Sequence, residues 1–108
     1  MALQIHTVSI ETITLLRPLV ARIRRFDLSL AKQLSRSASS IALNIGEGEY
    51  SSGGTRRERY LSAAGSASET RTALEVAAAW GYVRGPECAP IMDKLDHLLA
   101  VLWRLTRG

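Results

Sequence analysis

Apolar residues recur along most of the chain at spacings of three and four, which is the period of a buried face on an amphipathic helix. This pattern predicts four helices over approximately residues 8–25, 28–48, 55–80 and 88–106. The connections between them are short, and helices joined by short loops pack against each other in opposite directions. The sequence therefore predicts an all-α fold, an antiparallel up-down-up-down four-helix bundle that occupies residues 1–108 as a single domain.

Local signals set the predicted helix ends. The apolar stripe of the first helix runs to Phe26, and its start stays open, because the residues before position 8 also suit an extended lead-in. Asp27 and Thr55 stand where N-cap residues are expected, before the second and third helices. The segment SSGG at 51–54 predicts a loop, and Gly81 predicts a left-handed C-cap. We expect Pro90 in the first turn of the fourth helix.

Two predicted helices carry more apolar surface than one bundle core needs. The main stripe of the fourth helix consists of Ile91, Leu95, Leu98, Leu102 and Leu105. A second apolar edge beside it consists of Met92, Leu99 and Trp103. The third helix ends in ALEVAAAW, which is apolar on nearly every side. One interpretation is a wide core edge with exposed alanines. The other is a self-association surface anchored by Trp80 and Trp103, because large apolar patches mark contacts between proteins.

Composition bounds the class of protein. Hydrophobic residues make up 46% and charged residues 22% of the chain, which is far from the composition of a disordered protein. Cys88 is the only cysteine, so an intramolecular disulfide is excluded and a reducing compartment is expected. The N-terminus lacks a signal-peptide pattern, and no window reaches the ~20 apolar residues of a membrane span. We therefore expect a cytoplasmic protein without membrane contact, metal, cofactor or small-molecule substrate.

The charge balance favours an anionic partner or another protein. Fourteen basic against ten acidic residues give a net charge of +4, and twelve of the fourteen are arginine, whose planar guanidinium suits phosphate and carboxylate groups. The candidate nucleic-acid-binding residues are Arg22, Arg24, Arg25, Lys32, Arg36, Arg56, Arg57 and Arg59. For the first five, compensation of a helix dipole or a solvated helix face is the alternative explanation.

The last three of these arginines are the most informative. They crowd the first turn of the third helix, where the helix dipole disfavours cations, so something should compensate their charge. One alternative is pairing with the glutamates at positions 47, 49 and 58. The other is a phosphate-binding rim, in which Tyr50 and Tyr60 provide stacking surfaces.

A further set of polar residues consists of Asn44, Glu47, Ser66 and Glu69. Paired carboxylates can perform acid–base chemistry, but no nucleophile and base accompany them, so we expect no catalytic residue. We expect hydrogen bonds between helices or between subunits instead, because polar groups at a buried junction must be satisfied. His6 and His97 lie on separate predicted helices and form no recognisable metal pair.

Two segments resemble a known bacterial family. They are DLSLAKQLSRSASSIALNIGEG at 27–48 and RYLSAAGSASETRTALEVAAAWGYV at 59–83. The first contains an NIxEG element, and the second contains a GSxxE element; these are matched by Asn44, Ile45, Glu47 and Gly48, and by Gly65, Ser66 and Glu69. In these elements and their spacing the chain is similar to bacterial four-helix-bundle proteins. Those proteins are related to proteins encoded in intervening sequences of 23S ribosomal RNA and, more distantly, to accessory variability proteins of diversity-generating retroelements.

The resemblance implies a cytoplasmic, non-enzymatic bundle that assembles as a homo-oligomeric ring, typically a pentamer. Retroelement members bind a reverse transcriptase and nucleic acid through a basic surface, but no motif assigns this chain to that branch. Two hypotheses stand beside each other. The first is a homo-oligomer that presents a basic surface to RNA, DNA or a nucleic-acid enzyme such as a reverse transcriptase. The second is a protein-interaction scaffold without nucleic-acid binding.

Overall fold

The computed structural model describes residues 2–107, with side chains from Gln4 onward. It contains four helices, α1 (Ala2–Arg24), α2 (Leu28–Glu49), α3 (Gly53–Ala79) and α4 (Gly85–Thr106). Within residues 2–107 there is no strand. The prediction of an all-α four-helix bundle is therefore confirmed. Met1 and Gly108, which belong to the predicted domain, lie outside the described residues.

The ends of α1 and α2 follow from local chemistry. α1 begins at Ala2, so the apolar residues before position 8 continue the helix and form no extended lead-in. Asp27 caps α2 as predicted, because its Oδ1 accepts a hydrogen bond of 2.9 Å from the Leu30 N–H. The two helices are thus separated by a turn of only three residues, 25–27.

Two predicted helix starts are wrong. α3 begins at Gly53, so Ser52 and not Thr55 takes the N-cap position. Gly53 has a φ of +59°, which a residue without a Cβ adopts readily, and this glycine therefore opens the helix although it suggested a loop. α4 begins at Gly85, so its first turn contains Pro86, and Pro90 lies one turn further in.

α3 ends in the left-handed cap that Gly81 predicted. Gly81 has a φ of +80°. The Tyr82 N–H donates to the Ala77 carbonyl at 2.9 Å, and the Gly81 N–H donates to the Ala78 carbonyl at 3.0 Å. These paired bonds form a Schellman motif, which satisfies carbonyls that the helix leaves free. The motif also directs the chain across the end of the bundle, where Tyr82 stacks on Phe26.

Each helix packs against its neighbours in sequence, and α4 closes the bundle against α1. Contacts along the α1–α4 pair run in opposite directions, since Arg22 meets Glu87 whereas Glu11 meets Lys94. The core consists of large side chains with almost no exposed surface, among them Ile23, Leu34, Ile45, Leu74, Leu95 and Leu102.

Two residues of the predicted apolar stripes lie outside the core. Phe26 is 63% exposed, because α1 ends at Arg24 and the helical period that would put position 26 on the buried face does not extend beyond that residue. Leu105 is 47% exposed, and Thr106 is buried in its place. Thr106 follows Leu102 by four residues, and its hydroxyl donates to the Leu102 carbonyl at 2.8 Å, so the stripe ends in a threonine with a satisfied hydroxyl.

The contact between α2 and α3 is the most extensive in the bundle. Small residues of α3 permit this approach; Ala63, Ala64 and Ala67 are all buried there. Gly48 of α2 lies against the ring of Tyr60, and a Cβ at position 48 would come within 2.5 Å of the Tyr60 Cε1. The glycine therefore has a packing role.

Candidate nucleic-acid interface

The arginines that open α3 cap the C-terminal ends of its two neighbouring helices. The Nε of Arg56 donates to the Gly48 carbonyl at 3.0 Å, and the Nε of Arg57 donates to the Thr106 carbonyl at 2.9 Å. Carbonyls at helix C-termini carry partial negative charge, which compensates the unfavourable position of these cations at a helix N-terminus. The sequence suggested glutamate or phosphate as the compensating group, and the role of the helix C-terminal carbonyls was not predicted.

Two other candidate cations are held by carboxylates. The Nη1 of Arg22 contacts both oxygens of Glu87, at 2.7 and 2.8 Å. This hydrogen bond, together with a smaller contribution from the Arg84 N–H, holds the pKa of Glu87 below its ordinary value. Arg59 Nη1 lies 3.7 Å from Glu47 Oε2. Arg22 and Arg59 therefore have internal partners, as do both arginines that cap helices.

A groove between α1 and α2 collects candidate cations that have no such partner. Arg24, Lys32 and Arg36 line it together with Ser35 and Ser39, and its volume is about 360 Å³. A second depression of about 260 Å³ shares both serines with this groove and adds a fourth cation at position 17. No carboxylate lines either depression. We call this surface the basic groove, defined by Arg17, Arg24, Lys32 and Arg36.

The charges of the basic groove are not neutralised inside the described part of the chain. The ion pairs and side-chain hydrogen bonds among residues 4–107 include none of its four cations. Arg25, in the adjoining turn, is likewise exposed and unpaired. A cleft lined by charge of one sign concentrates ions of the opposite sign. The basic groove is therefore the part of this surface best suited to a polyanion.

Sequence reasoning found three of the four groove cations and missed Arg17. The signal was present, because Arg17 and Arg24 are seven residues apart and share a helix face. Lys32 and Arg36, four residues apart, share a face of the facing helix. The prediction relied on runs of adjacent arginines instead, although adjacent residues point to different sides of a helix.

Polar candidates at the α2–α3 contact form a hydrogen-bond network. Asn44 Nδ2 donates to the carbonyl and the hydroxyl of Ser40 at 2.9 and 3.0 Å, and the Ser66 hydroxyl donates to the Ser40 hydroxyl at 2.8 Å. Arg59 donates to Asn44 Oδ1 at 3.4 Å and also carries the ion pair with position 47. The structure therefore brings Asn44, Glu47 and Ser66 together and leaves Glu69 exposed outside the network.

A buried hydroxyl pair at the same contact was not predicted. The hydroxyls of Ser37 and Thr70 lie 2.8 Å apart, and both residues are buried. Ser37 and Ser40 on α2 face Thr70 and Ser66 on α3. Small polar residues at helical spacing on both partners were the available signal.

The four candidate interface residues do not form one patch. Trp80 is 69% exposed at the C-terminal end of α3, and Trp103 is 46% exposed near the C-terminal end of α4. Arg57 meets Thr106 whereas Arg71 meets Asp96, so α3 and α4 run in opposite directions and the two tryptophans lie at opposite ends of the bundle. Met92 and Leu99 are half-buried and pack against the core. The second apolar edge of α4 is thus partly a core edge, and Trp103 is its most accessible member.

The predicted tyrosine stacking surfaces differ in accessibility. Tyr60 is only 3% exposed, so its assignment as a stacking surface is wrong. Burial raises the pKa of Tyr60, against a smaller lowering effect of Arg56. Tyr50 is 93% exposed at the end of α2. Only Tyr50 of the pair therefore offers a free ring face.

The part of the chain that the structure describes contains no group of three or more His, Cys, Asp or Glu side chains placed to hold a metal ion. None of the helices within residues 2–107 has the length and apolar character needed to cross a membrane. Cys88 is buried, and burial raises the pKa of its thiol, with Glu87 adding to the effect. Its thiolate, the reactive form, is therefore disfavoured.

Comparison with known proteins covers nearly the whole chain. Residues 5–104 match the family model of the 23S rRNA-intervening sequence protein. A solved structure from Bacteroides thetaiotaomicron, of a protein with unknown function from the S23 ribosomal protein family, superposes with a TM-score of 0.85. It is 20% identical, and the match covers 96% of this chain and 99% of that chain, which shows a shared fold. No curated protein matches the chain.

Proposed function

The chain belongs to the 23S rRNA-intervening sequence protein family, and from this premise we propose that it is a non-enzymatic, nucleic-acid-binding bundle protein that acts as a homo-oligomer in the cytoplasm. The observation that carries the binding function is the basic groove. Four cations without internal partners and the hydroxyl of Ser39 line continuous depressions that contain no carboxylate, whereas the Ser35 hydroxyl donates to the Ala31 carbonyl. Phosphates of a nucleic-acid backbone are the ligands that this combination fits, because guanidinium groups and hydroxyls both donate to phosphate oxygens.

Binding is electrostatic and depends little on base sequence. Each cation that contacts a phosphate releases condensed counterions, so affinity falls as salt rises. For a single strand, four such contacts give a slope of about −3 when the logarithm of the binding constant is plotted against the logarithm of the salt concentration. This slope corresponds to roughly 50-fold weaker binding between about 50 and 200 mM salt. A shallow slope is expected if the arginines that cap helices carried the binding instead, because those side chains are already engaged.

The test compares two variants with the same change in composition and charge. Arg24→Gln/Lys32→Gln removes two cations from the basic groove, whereas Arg71→Gln/Lys94→Gln removes two cations paired with Asp96 and Glu11 elsewhere. Binding to a fluorescein-labelled single-stranded RNA or DNA of about 20 nucleotides is followed by anisotropy across a salt series. We expect the groove variant to halve the salt slope and the paired-cation variant to keep it. Equal slopes for the two variants would contradict the proposal.

We also propose that copies of the chain associate, in the five-membered ring that the resemblance implies. Large apolar side chains at the surface support association, including Leu43 at 66%, Trp103 at 46% and Val76 at 37% exposure. A ring repeats the basic groove in each subunit, so contacts that are weak alone act together. Sedimentation equilibrium at micromolar concentration should show an oligomer that Trp103→Ala weakens. A stable single subunit for the wild-type chain counts against this part of the proposal.

The exposed apolar residues also favour a second candidate function, a scaffold that binds another protein such as a reverse transcriptase. Leu43 and Tyr50 lie on a depression of about 440 Å³ that contains no cation, away from the basic groove. In that case the two charge variants behave alike and neither binds nucleic acid. The salt series therefore separates the two candidates.

A further inference from the structure

Three aromatic rings form a stack at the end of the bundle where the α1–α2 and α3–α4 connections meet. Phe26 and Tyr82 have ring centroids 5.3 Å apart and planes inclined by only 5°. Trp80 and Tyr82 have centroids 6.4 Å apart and planes inclined by 16°. We call Phe26, Tyr82 and Trp80 the aromatic ladder. Its three near-parallel rings lie at the surface and come from two separate connections of the chain.

The two outer members of the aromatic ladder face water. Phe26 is 63% and Trp80 is 69% exposed, while Tyr82 is half-buried. Stacking on Tyr82 fixes the orientation of the exposed rings, so little conformational freedom remains to be lost when a flat partner binds. A preorganised ring face of this kind suits another aromatic ring.

The surroundings of the aromatic ladder select a polyanion that also carries aromatic rings. Phe26 lies in sequence between Arg24 and Leu28, two residues that line the basic groove, so its backbone is close to one end of the groove. Arg25, the residue before Phe26, adds an exposed cation that takes part in no ion pair among residues 4–107. Glu87, a carboxylate in the α3–α4 connection region, is paired with Arg22, which offsets its negative charge, and Asp27 is engaged as the cap of α2. A second copy of the chain docked here in a two-fold arrangement would bring the same arginines face to face.

We propose that the aromatic ladder stacks an unpaired base of a single-stranded nucleic acid whose backbone lies in the basic groove. The inference rests on the proposed function, because the groove supplies the phosphate contacts. It adds a preference for single strands, since the bases of a duplex are already stacked on one another. Stacking tolerates any base, because every base offers a flat π face.

The experiment uses two oligonucleotides with equal numbers of phosphates, oligo(dT) and an abasic strand of the same length. Each is titrated by anisotropy against the wild-type chain, Phe26→Leu/Trp80→Leu, and Leu105→Ala, which removes an exposed apolar side chain at the opposite end as a control. We expect the wild type and the control to bind oligo(dT) at least about fivefold more tightly than the abasic strand. The ladder variant should bind both strands equally, with the affinity that the wild type shows for the abasic strand.

Intrinsic fluorescence provides a second readout. The chain has two tryptophans, so Trp103→Phe leaves Trp80 as the only one, and Trp80→Phe leaves Trp103. Oligo(dT) should quench the fluorescence of Trp80 and leave that of Trp103 unchanged, while the abasic strand quenches neither.

Each contrary outcome has a distinct meaning. Equal, salt-sensitive binding of both strands by the wild type, without quenching of Trp80, overturns the ladder inference and leaves the basic groove intact. Absence of binding to either strand overturns the proposed function itself. Loss of the oligomer in Phe26→Leu/Trp80→Leu, seen by sedimentation, means that a second copy covers the ladder, which also overturns the inference.

Discussion

Replacement of Gly48 by alanine tests whether the α2–α3 contact has the tightness that the structure describes. A Cβ at position 48 would lie 2.5 Å from Cε1 and 2.8 Å from Cδ1 of the Tyr60 ring. Ordinary van der Waals contact begins near 3.4 Å, so the ring or the helix must move by about 0.9 Å. Tyr60 is only 3% exposed and has no open space to enter, so the strain passes to the α2–α3 packing.

The size of the effect follows from two opposing contributions. Overpacking of a close-packed contact costs about 1–3 kcal/mol. Alanine offsets part of this, because it is favoured over glycine in a helix by up to about 1 kcal/mol. Gly46→Ala is the matched control, since it lies two residues away in the same helix and its Cβ would meet only His6, at 4.0 Å. The difference between the two variants therefore isolates the clash, at about 1–3 kcal/mol.

Thermal unfolding at one fixed protein concentration measures this difference, since self-association would make the Tm depend on concentration. For a chain of this size about 1 kcal/mol corresponds to roughly 4 °C, so we expect Gly48→Ala to melt about 4–12 °C below Gly46→Ala. In a Tyr60→Leu background the penalty of Gly48→Ala should largely disappear, because the obstructing ring is gone. Equal Tm values for the two alanine variants would refute the reasoning, as would a penalty that persists without the ring.

Three further changes probe other contacts. Gly81→Ala should lower the free energy of unfolding by about 1 kcal/mol in urea titrations, because an L side chain resists a positive φ although no atom obstructs its Cβ. Arg57→Gln should cost about 1 kcal/mol in the same assay through loss of the cap on the Thr106 carbonyl, while the salt slope of nucleic-acid binding stays unchanged. Glu87→Gln should lower the Tm near neutral pH. Its carboxyl has a depressed pKa, so the stabilisation is present above the ordinary value of 4.5 and is lost as the pH falls through the depressed pKa, where variant and wild type converge.

The helices could be predicted because burial imposes a period on the sequence. Every residue of the α2 stripe is buried in the structure; the stripe consists of Leu30, Leu34, Ala38, Ile41 and Ile45. The Asp27 and Gly81 caps were equally visible, because each depends on the chemistry or conformation of one residue. Gly53 was ambiguous, since a glycine with positive φ serves a loop and a helix start alike.

The candidate site was less predictable, because the partner of a charged residue is set by the tertiary fold. The sequence around Arg57 does not predict its contact with the Thr106 carbonyl, which is 49 positions away in the chain. The same holds for Arg22 and Glu87, which are 65 positions apart. Periodicity places a residue on a helix face, but it does not predict which helix end packs against that face.

The arrangement of helix ends explains why the two ends of this bundle differ. At the end where α2 and α4 terminate, free carbonyls accept hydrogen bonds from Arg56 and Arg57, so cations there stabilise the fold and are withdrawn from a ligand. At the other end α1 terminates at Arg24 and Arg25 follows in the turn, and the favourable position of both near the end of a helix dipole requires no direct partner. Those guanidinium groups remain available beside the exposed ring of Phe26. The same side-chain chemistry therefore supports folding at one end and leaves a binding surface at the other.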